Sequence, residues 1–377
     1  MTVVKKIRIL QAIRQGKVGG GETHVLDLVK ELDKNRFESI ILSFTDGPMV
    51  EKLKADGFQT YVVHTEKPFN FAIWKEVRNI IVRENIDIIH AHGTRANSNT
   101  FSSAKALGIP LIYTVHGWSF HPDQNPIIKT IRTLSERFLV RVANKTICVS
   151  QSNLNEGRSK FPMAHSTVIV NGINQIKFDP DQQYKDIRLE FGISDSVILI
   201  GYIARITAQK DPLTYLTALS KISANANVKF LIVGDGDMKS EMLVLAEKLN
   251  LDSRIIFKDF RDDIPAILKA IDVFCLPSLW EGLPIALLEA MAMRKAIIAT
   301  AIDGTKDLVK DMKNGLLVPT SNPDKLAEAI NLLISDHQLR LELGIQAGIT
   351  IKEHFDIGTM TRNVEAVYDD EIANKIL

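Results

Sequence analysis

Short β-branched runs alternate with longer segments of helical periodicity along most of the chain, and this alternation constrains the fold more than any other feature. In the first half the strand-sized runs are Ile7–Ala12, Ile40–Phe44, Thr60–Val63, Ile86–His90 and Leu111–Val115, with helical patterns at His24–Leu32, Val50–Ala55, Ile73–Arg83 and Ala96–Leu107 between them. The second half repeats the design with Val197–Ile203, Lys229–Val233, Arg254–Phe257, Val273–Leu276 and Ala296–Thr300, separated by Pro212–Ile222, Ser240–Leu249, Ile264–Lys269 and Pro284–Met293. Strands that alternate with helices form parallel sheets covered on both faces. The chain therefore reads as α/β, with two doubly wound parallel-sheet domains facing across a cleft. The polar stretch Phe178–Tyr184, which contains Pro180, marks the break and gives domains of 1–182 and 183–357. Ligands of such sheets bind outside the carboxyl ends of the strands, so those ends are where chemistry is expected.

Composition narrows the classes of function. The 377 residues carry 46 Lys+Arg against 45 Asp+Glu, a formal net charge of +1. That balance is too even for a general nucleic-acid binder, whose phosphate contacts need clustered excess cations. The halves differ, because 1–182 holds 24 Lys+Arg and 17 Asp+Glu, a formal +7, while 183–377 holds 22 and 28, a formal −6. Halves so charged are expected to meet different partners. Cys148 and Cys275 each sit inside an apolar run, the setting of a reduced buried thiol and not of a disulfide or a cysteine-based metal site. Lys5, Lys6 and Arg8 interrupt the apolar amino-terminal stretch and no run reaches membrane-spanning length, so a cytoplasmic protein is expected.

Several strand ends carry residues suited to binding an anion or a sugar. The Gly-rich turn from Gly16 to Glu22 feeds a helix, and its backbone amides suit a phosphate, although it is not the G-x-G-x-x-G dinucleotide fingerprint. Arg205 and Lys210 follow a buried strand, where a forked guanidinium and a point charge could neutralise a diphosphate, and Asp211-Pro212 reads as N-cap and first residue of the next helix. Glu281 stands in a turn and Glu289 one and a half turns into the helix that begins near Pro284, where each carboxylate can accept hydrogen bonds from a sugar diol. His90, His92, His116 and His121 could ligate a metal, but no carboxylate or cysteine completes a recognisable spacing, so no metal is expected. Asp235-Gly236-Asp237 is a D-x-D, read as a turn after a strand.

Taken together, in order and in the correct halves, these residues resemble the retaining glycosyltransferases of family 4, which have the GT-B fold of two Rossmann-like domains. The most specific element is the E-x7-E pair, Glu281 and Glu289, accompanied by Gly19–Glu22, Thr114–Gly117, Asn171–Ile173, the Arg205/Lys210 pair, Val233–Gly236 and Asn314–Pro319. The resemblance implies that Gly19 and Gly20 approach the donor's β-phosphate, that Arg205 and Lys210 hold the diphosphate, that Glu289 binds the ribose, and that Glu281 orients the sugar hydroxyls. It also implies that His116 contacts the sugar near the reacting face, that Arg261 lies in the loop contacting the base, and that Gly282, Leu283 and Ile285 complete the donor site. The tail 358–377 would cross back to the first domain. Ala204, Asp211, Pro284 and the Asp303–Asp307 turn depart from the family's usual residues.

The chemistry so implied is metal-independent transfer of a sugar from a nucleoside-diphosphate sugar, UDP-sugar favoured, to an acceptor hydroxyl with retention. The nucleotide sugar is a substrate and no cofactor is needed. The acceptor would be a lipid-diphosphate-linked or surface-polysaccharide glycan precursor. Pro126–Lys145 is an amphipathic stretch with Lys129, Arg132, Arg137 and Arg141 among Ile, Leu and Phe. It reads either as a core-packed helix with a solvated basic edge or as a surface that rests on anionic headgroups at the inner face of the membrane. A nucleotide-sugar epimerase of the same fold and a non-catalytic nucleotide-sugar binding protein are the alternatives; the two glutamates argue against the second.

Overall fold

A computed structural model describes residues 5–16, 19–121 and 124–376. Lys17 and Val18, within the Gly-rich turn, lie outside the described residues, as do positions 1–4 of the amino-terminal stretch. The chain divides into two compact units, Met1–Gly172 with Ile357–Leu377, and Ile173–Asp356.

The first unit is a seven-stranded sheet of order β3-β2-β1-β4-β5-β6-β7, made of β1 (Ile7–Ile13), β2 (Phe37–Ser43), β3 (Thr60–Val62), β4 (Ile88–His92), β5 (Leu111–Val115), β6 (Lys145–Cys148) and β7 (Ser166–Val168). Every neighbouring pair is parallel. The chain winds to one side from β1 and to the other from β4, so the carboxyl ends of β1 and β4 flank the point where helices leave on opposite faces. One face of the sheet buries Ile9, Ile88, Ile112 and Ile147 against Leu28 of the helix Gly20–Glu31 and against Ile357, Met360, Val364, Val367 and Tyr368 of the helix Ile357–Ile376. The last five recur at helical spacing, which is why the carboxyl-terminal segment seals this face. The tail thus packs with the first unit, as expected from the resemblance.

The second unit is a six-stranded sheet of order β10-β9-β8-β11-β12-β13, made of β8 (Ile198–Ile203), β9 (Val228–Val233), β10 (Ile255–Lys258), β11 (Val273–Leu276), β12 (Ala296–Thr300) and β13 (Leu316–Val318), again parallel throughout. Its reversal lies between β8 and β11. Cys275 is buried in its core and Cys148 in that of the first unit, both as free thiols.

The predicted junction moves. Phe178–Tyr184 is part of the second unit, because Phe178 is buried, the Lys269 ammonium donates to the Pro180 carbonyl, and Asp181 pairs with Arg294 at 3.1 Å. The crossing falls instead at Gly172/Ile173, and Ile173 pairs with Asp356 where the chain leaves the second unit. A polar, proline-containing stretch looked like a linker, but one buried phenylalanine and two tethers suffice to dock it. No helix among the described residues is long and apolar enough to cross a membrane.

Candidate functional site

In the first unit the Gly-rich turn and the strand-end histidines meet. Gly19 is the extended N-cap of the helix Gly20–Glu31, with no side-chain cap, so the first-turn amides are left for another acceptor. A Cβ on Gly21 would lie 3.3 Å from the His116 ring, which places the helix start directly against that imidazole. His92 closes β4 and His116 follows β5; His92 Nδ1 and His116 Nε2 are 3.2 Å apart. His24, on the inner side of the helix, has its ring centroid 4.8 Å from that of His116. Burial lowers the pKa of His24 to about 4, that of His90 to about 3, and those of His92 and His116 well below the ordinary value, so the cluster is neutral at pH 7.

The histidines that gather are not the set suggested by the sequence. His24, His92 and His116 bring ring nitrogens within 4.8 Å of one another, whereas His90 is turned to Tyr368 and Thr114. Sequence reasoning missed Glu136. It is fully buried on the helix Pro126–Val142, where it accepts hydrogen bonds from the Tyr113 hydroxyl at 2.8 Å and the Thr94 hydroxyl at 2.6 Å, and burial raises its pKa. A carboxylate at the inward position of an amphipathic pattern was the available signal.

Glu136, Leu139 and Val140 form the inward side of this helix, and five other apolar residues face out. Ile127, Ile128, Ile131, Leu134 and Phe138 are between 41% and 70% exposed. Arg132, Arg137 and Arg141 are exposed beside them and Lys129 is half-buried.

In the second unit the predicted donor residues lie at the β8/β11 reversal. Arg205 is exposed just beyond β8 and makes no ion pair with a described residue. Lys210, read as a partner of Arg205 on a diphosphate, is paired with Glu281, and both side chains are almost buried. Glu281 also accepts from the Ser278 hydroxyl at 2.7 Å and from Gln209 at 3.3 Å. Asp211 caps the helix Pro212–Leu219 from a left-handed conformation, φ 46°, which explains why a glycine is usual here and how an aspartate serves. Pro284 is the N-cap of the helix Ile285–Ala292 and not its first residue; Leu283 and Ile285 are buried, while Gly282 and Glu289 are half-buried.

Two glycine contacts hold this arrangement. A Cβ on Gly304 would lie 2.4 Å from the Gly282 carbonyl oxygen, so the unusual Asp303–Asp307 turn supports the Glu281 loop by close backbone approach. A Cβ on Gly236 would lie 2.1 Å from the Ile206 carbonyl oxygen, so the 233–236 turn braces the segment that follows β8, in keeping with the turn reading of Asp235 and Asp237. Arg261 is held by carboxylates on both sides, Asp263 at 2.7 Å and Glu190 at 2.7 Å. Those ion pairs hold Glu190 to about 2 and raise Arg261 further.

Two family models match, one per unit. "Glycosyltransferase Family 4" matches residues 18–175 and "Glycosyl transferases group 1" matches 183–348. The chain is a glycosyltransferase. It is 27% identical to the UDP-Gal:alpha-D-GlcNAc-diphosphoundecaprenol alpha-1,3-galactosyltransferase of Escherichia coli, with 98% of each chain covered. It is 27% identical to the N,N'-diacetylbacillosaminyl-diphospho-undecaprenol alpha-1,3-N-acetylgalactosaminyltransferase of Campylobacter jejuni, covering 93% of this chain and 95% of that one. HepE of Anabaena, solved in complex with UDP and glucose, superposes with a TM-score of 0.86 at 23% identity, covering 97% of this chain and all of the other. The fold is GT-B, as the resemblance implied.

Proposed function

We propose that this glycosyltransferase moves a sugar from a UDP-sugar to a hydroxyl of a lipid-diphosphate-linked glycan, with retention at the anomeric carbon and without a metal ion. The observation that carries the reading is the cluster at the β8/β11 reversal, where an exposed Arg205, the Lys210–Glu281 pair and a helix start stand together. The relatives support the substrates, since the E. coli and C. jejuni enzymes are named for diphosphoundecaprenol-linked acceptors and the former for UDP-Gal.

In this reading the acceptor oxygen attacks the anomeric carbon on the face the diphosphate leaves, and its proton passes to the departing phosphate oxygen. Negative charge grows on that phosphate, so Arg205, Lys210 and the helix-start amides supply the stabilisation. Lys210 is already neutralised by Glu281, so donor binding shares it between carboxylate and diphosphate while Glu281 turns to the sugar hydroxyls. Glu289 takes the ribose, Gly19 and Gly20 the β-phosphate, His116 the sugar, and Arg261 steadies the base loop. The outward apolar stripe of Pro126–Val142 with its cations supports attachment to the inner face of an anionic membrane, where a lipid-linked acceptor resides.

A thermal-shift panel of UDP-, GDP- and ADP-sugars, with and without EDTA, tests this on wild type and Glu289→Ala. Stabilisation by UDP-sugars alone, indifferent to EDTA and lost in the variant, is expected. A shift abolished by EDTA would refute metal independence, and donor turnover with no acceptor present would favour an epimerase. Arg205→Ala is expected to lower turnover on the order of 10²- to 10³-fold; a loss of only a few-fold would refute the phosphate assignment.

A further inference from the structure

Three histidines from three separate elements converge where β4 and β5 end. His92 is the last residue of β4, His116 is the first residue after the neighbouring β5, and His24 comes from the helix Gly20–Glu31. Gly21 and His24 are three residues apart and so share a face of that helix. A Cβ on Gly21 would already lie 3.3 Å from the His116 ring, so a larger residue there would hold the helix, and His24 with it, further off. His24 is 5% exposed and His92 1%, while His116 is half-buried, so the cluster is reached by way of His116.

Hydrogen bonds account for only part of this cluster. His92 Nδ1 and His116 Nε2 are 3.2 Å apart, and His92 Nε2 lies 2.9 Å from Gln11 Oε1. Neither ring nitrogen of His24 has a hydrogen-bond partner among the described residues; the Asn171 side chain approaches without reaching hydrogen-bond geometry. A buried imidazole with both nitrogens unanswered is costly, and it calls for a ligand the protein does not itself supply.

The spacing fits a single metal ion. Three imidazoles on one tetrahedral ion, with bonds of about 2.0–2.1 Å, hold their nitrogens about 3.3 Å and their ring centroids about 5.2 Å apart. Here the centroids stand 4.8, 5.5 and 5.6 Å apart, and the His92–His116 nitrogens already have the required separation. One nitrogen from each ring lies within 4.8 Å of the others, so His24 needs only to swing inward. Ligation of His92 through Nδ1 would leave its ring proton on Nε2, where the Gln11 amide oxygen accepts it, and Gln11 Nε2 in turn reaches the Tyr368 hydroxyl at 3.1 Å. An all-imidazole set suits a zinc-class transition ion and not magnesium or calcium, which take oxygen ligands.

We propose that His24, His92 and His116 form a binding site for one zinc ion, and that an ion seated there withholds His116 from the donor sugar. Occupancy therefore inhibits transfer, and no step of the transfer runs through the metal. The site stands on the geometry of the first unit alone; the inhibition rests on the role of His116 in the function proposed above.

Calorimetric titration of the full-length protein, first stripped with a chelator, with zinc chloride and separately with magnesium chloride tests the site. One zinc per chain and no magnesium is the expected result. In spectra of nitrogen-labelled histidine, the rings of His24, His92 and His116 should shift at the first equivalent of zinc, ahead of the exposed His64 and His165. His24→Gln and His92→Gln should each weaken zinc binding at least about 100-fold, more than the loss of an outer-shell partner costs. No zinc binding, zinc that shifts only exposed histidines, or an affinity unchanged in both variants would overturn the site. Should a variant fail to fold, the wild-type ring spectra decide alone. Saturating zinc should lower turnover about tenfold or more, equivalent to about 1.4 kcal/mol at the transition state, and EDTA should restore it. Unaltered turnover by the zinc-loaded protein would overturn the inhibition. If the zinc-free wild type transfers no sugar to any acceptor, the functional reading fails, and the titration still decides the site.

Discussion

Replacing Ile131 by glutamate should detach the protein from anionic membranes without disturbing its fold. Ile131 is 61% exposed and sits in the middle of the outward stripe, between Ile127 at 70% and Leu134 at 57%. The five apolar side chains of the stripe leave about three side-chain equivalents in water, so burying them in the headgroup–acyl boundary is worth about 4–8 kcal/mol. Each cation of Lys129, Arg132, Arg137 and Arg141 near the surface adds about 1 kcal/mol at physiological ionic strength. Ile131→Glu forfeits about 1–2 kcal/mol of apolar transfer and adds about 1 kcal/mol of repulsion from the anionic surface. The partition coefficient should fall about 30- to 150-fold. Sedimentation with sucrose-loaded vesicles containing phosphatidylglycerol reads this, with neutral phosphatidylcholine vesicles and raised salt each weakening wild-type binding. The melting temperature should stay within a degree or two, since Ile131 contributes little to the core. Equal sedimentation of wild type and variant, or none by wild type, would refute the membrane assignment and restore the solvated-edge reading of this helix.

Two further outcomes follow from the packing. Gly304→Ala drives a Cβ to 2.4 Å from one loop carbonyl and 2.6 Å from the next, so the Glu281 loop must move; a cost of about 1–3 kcal/mol should appear as a fall in melting temperature of about 2–10 °C with loss of nucleotide-sugar stabilisation, and unchanged donor binding would refute the bracing role. The neutral histidines make the first unit acid-sensitive: the unfolded chain takes protons near pH 6.5 while His24 waits until about 4 and His90 until about 3, so the stability they contribute is full above 6.5 and falls on the order of 1.4 kcal/mol per pH unit for each as pH drops through that window. Urea midpoints at pH 7, 6 and 5 should fall in step, and less steeply in His90→Gln; a midpoint independent of pH would count against burial as the cause.

Strand–helix alternation was enough to give two doubly wound sheets, because a parallel strand buried on both faces has little room for anything but β-branched residues. Part of the cluster at the β8/β11 reversal was legible for a related reason: Arg205, Lys210 and Glu281 follow buried runs, and strand ends at a reversal of winding converge. Their pairing was not legible, since nothing in the spacing says that Lys210 meets Glu281 across 71 residues. The junction was misplaced because Phe178 docks an otherwise mostly polar stretch. His24, His92 and His116 show the same limit from the other side. The two-residue period of Ile88-Ile89-His90-Ala91-His92 tells that both histidines share a face, and Gln11 interrupts an apolar strand in the same way. His90 and Gln11 then meet Tyr368, brought from the other end of the chain by a helix whose apolar residues say only that it packs. Local pattern fixes which face a side chain occupies; the hydrogen-bond chain that joins these groups emerges only when segments distant in sequence cover that face together.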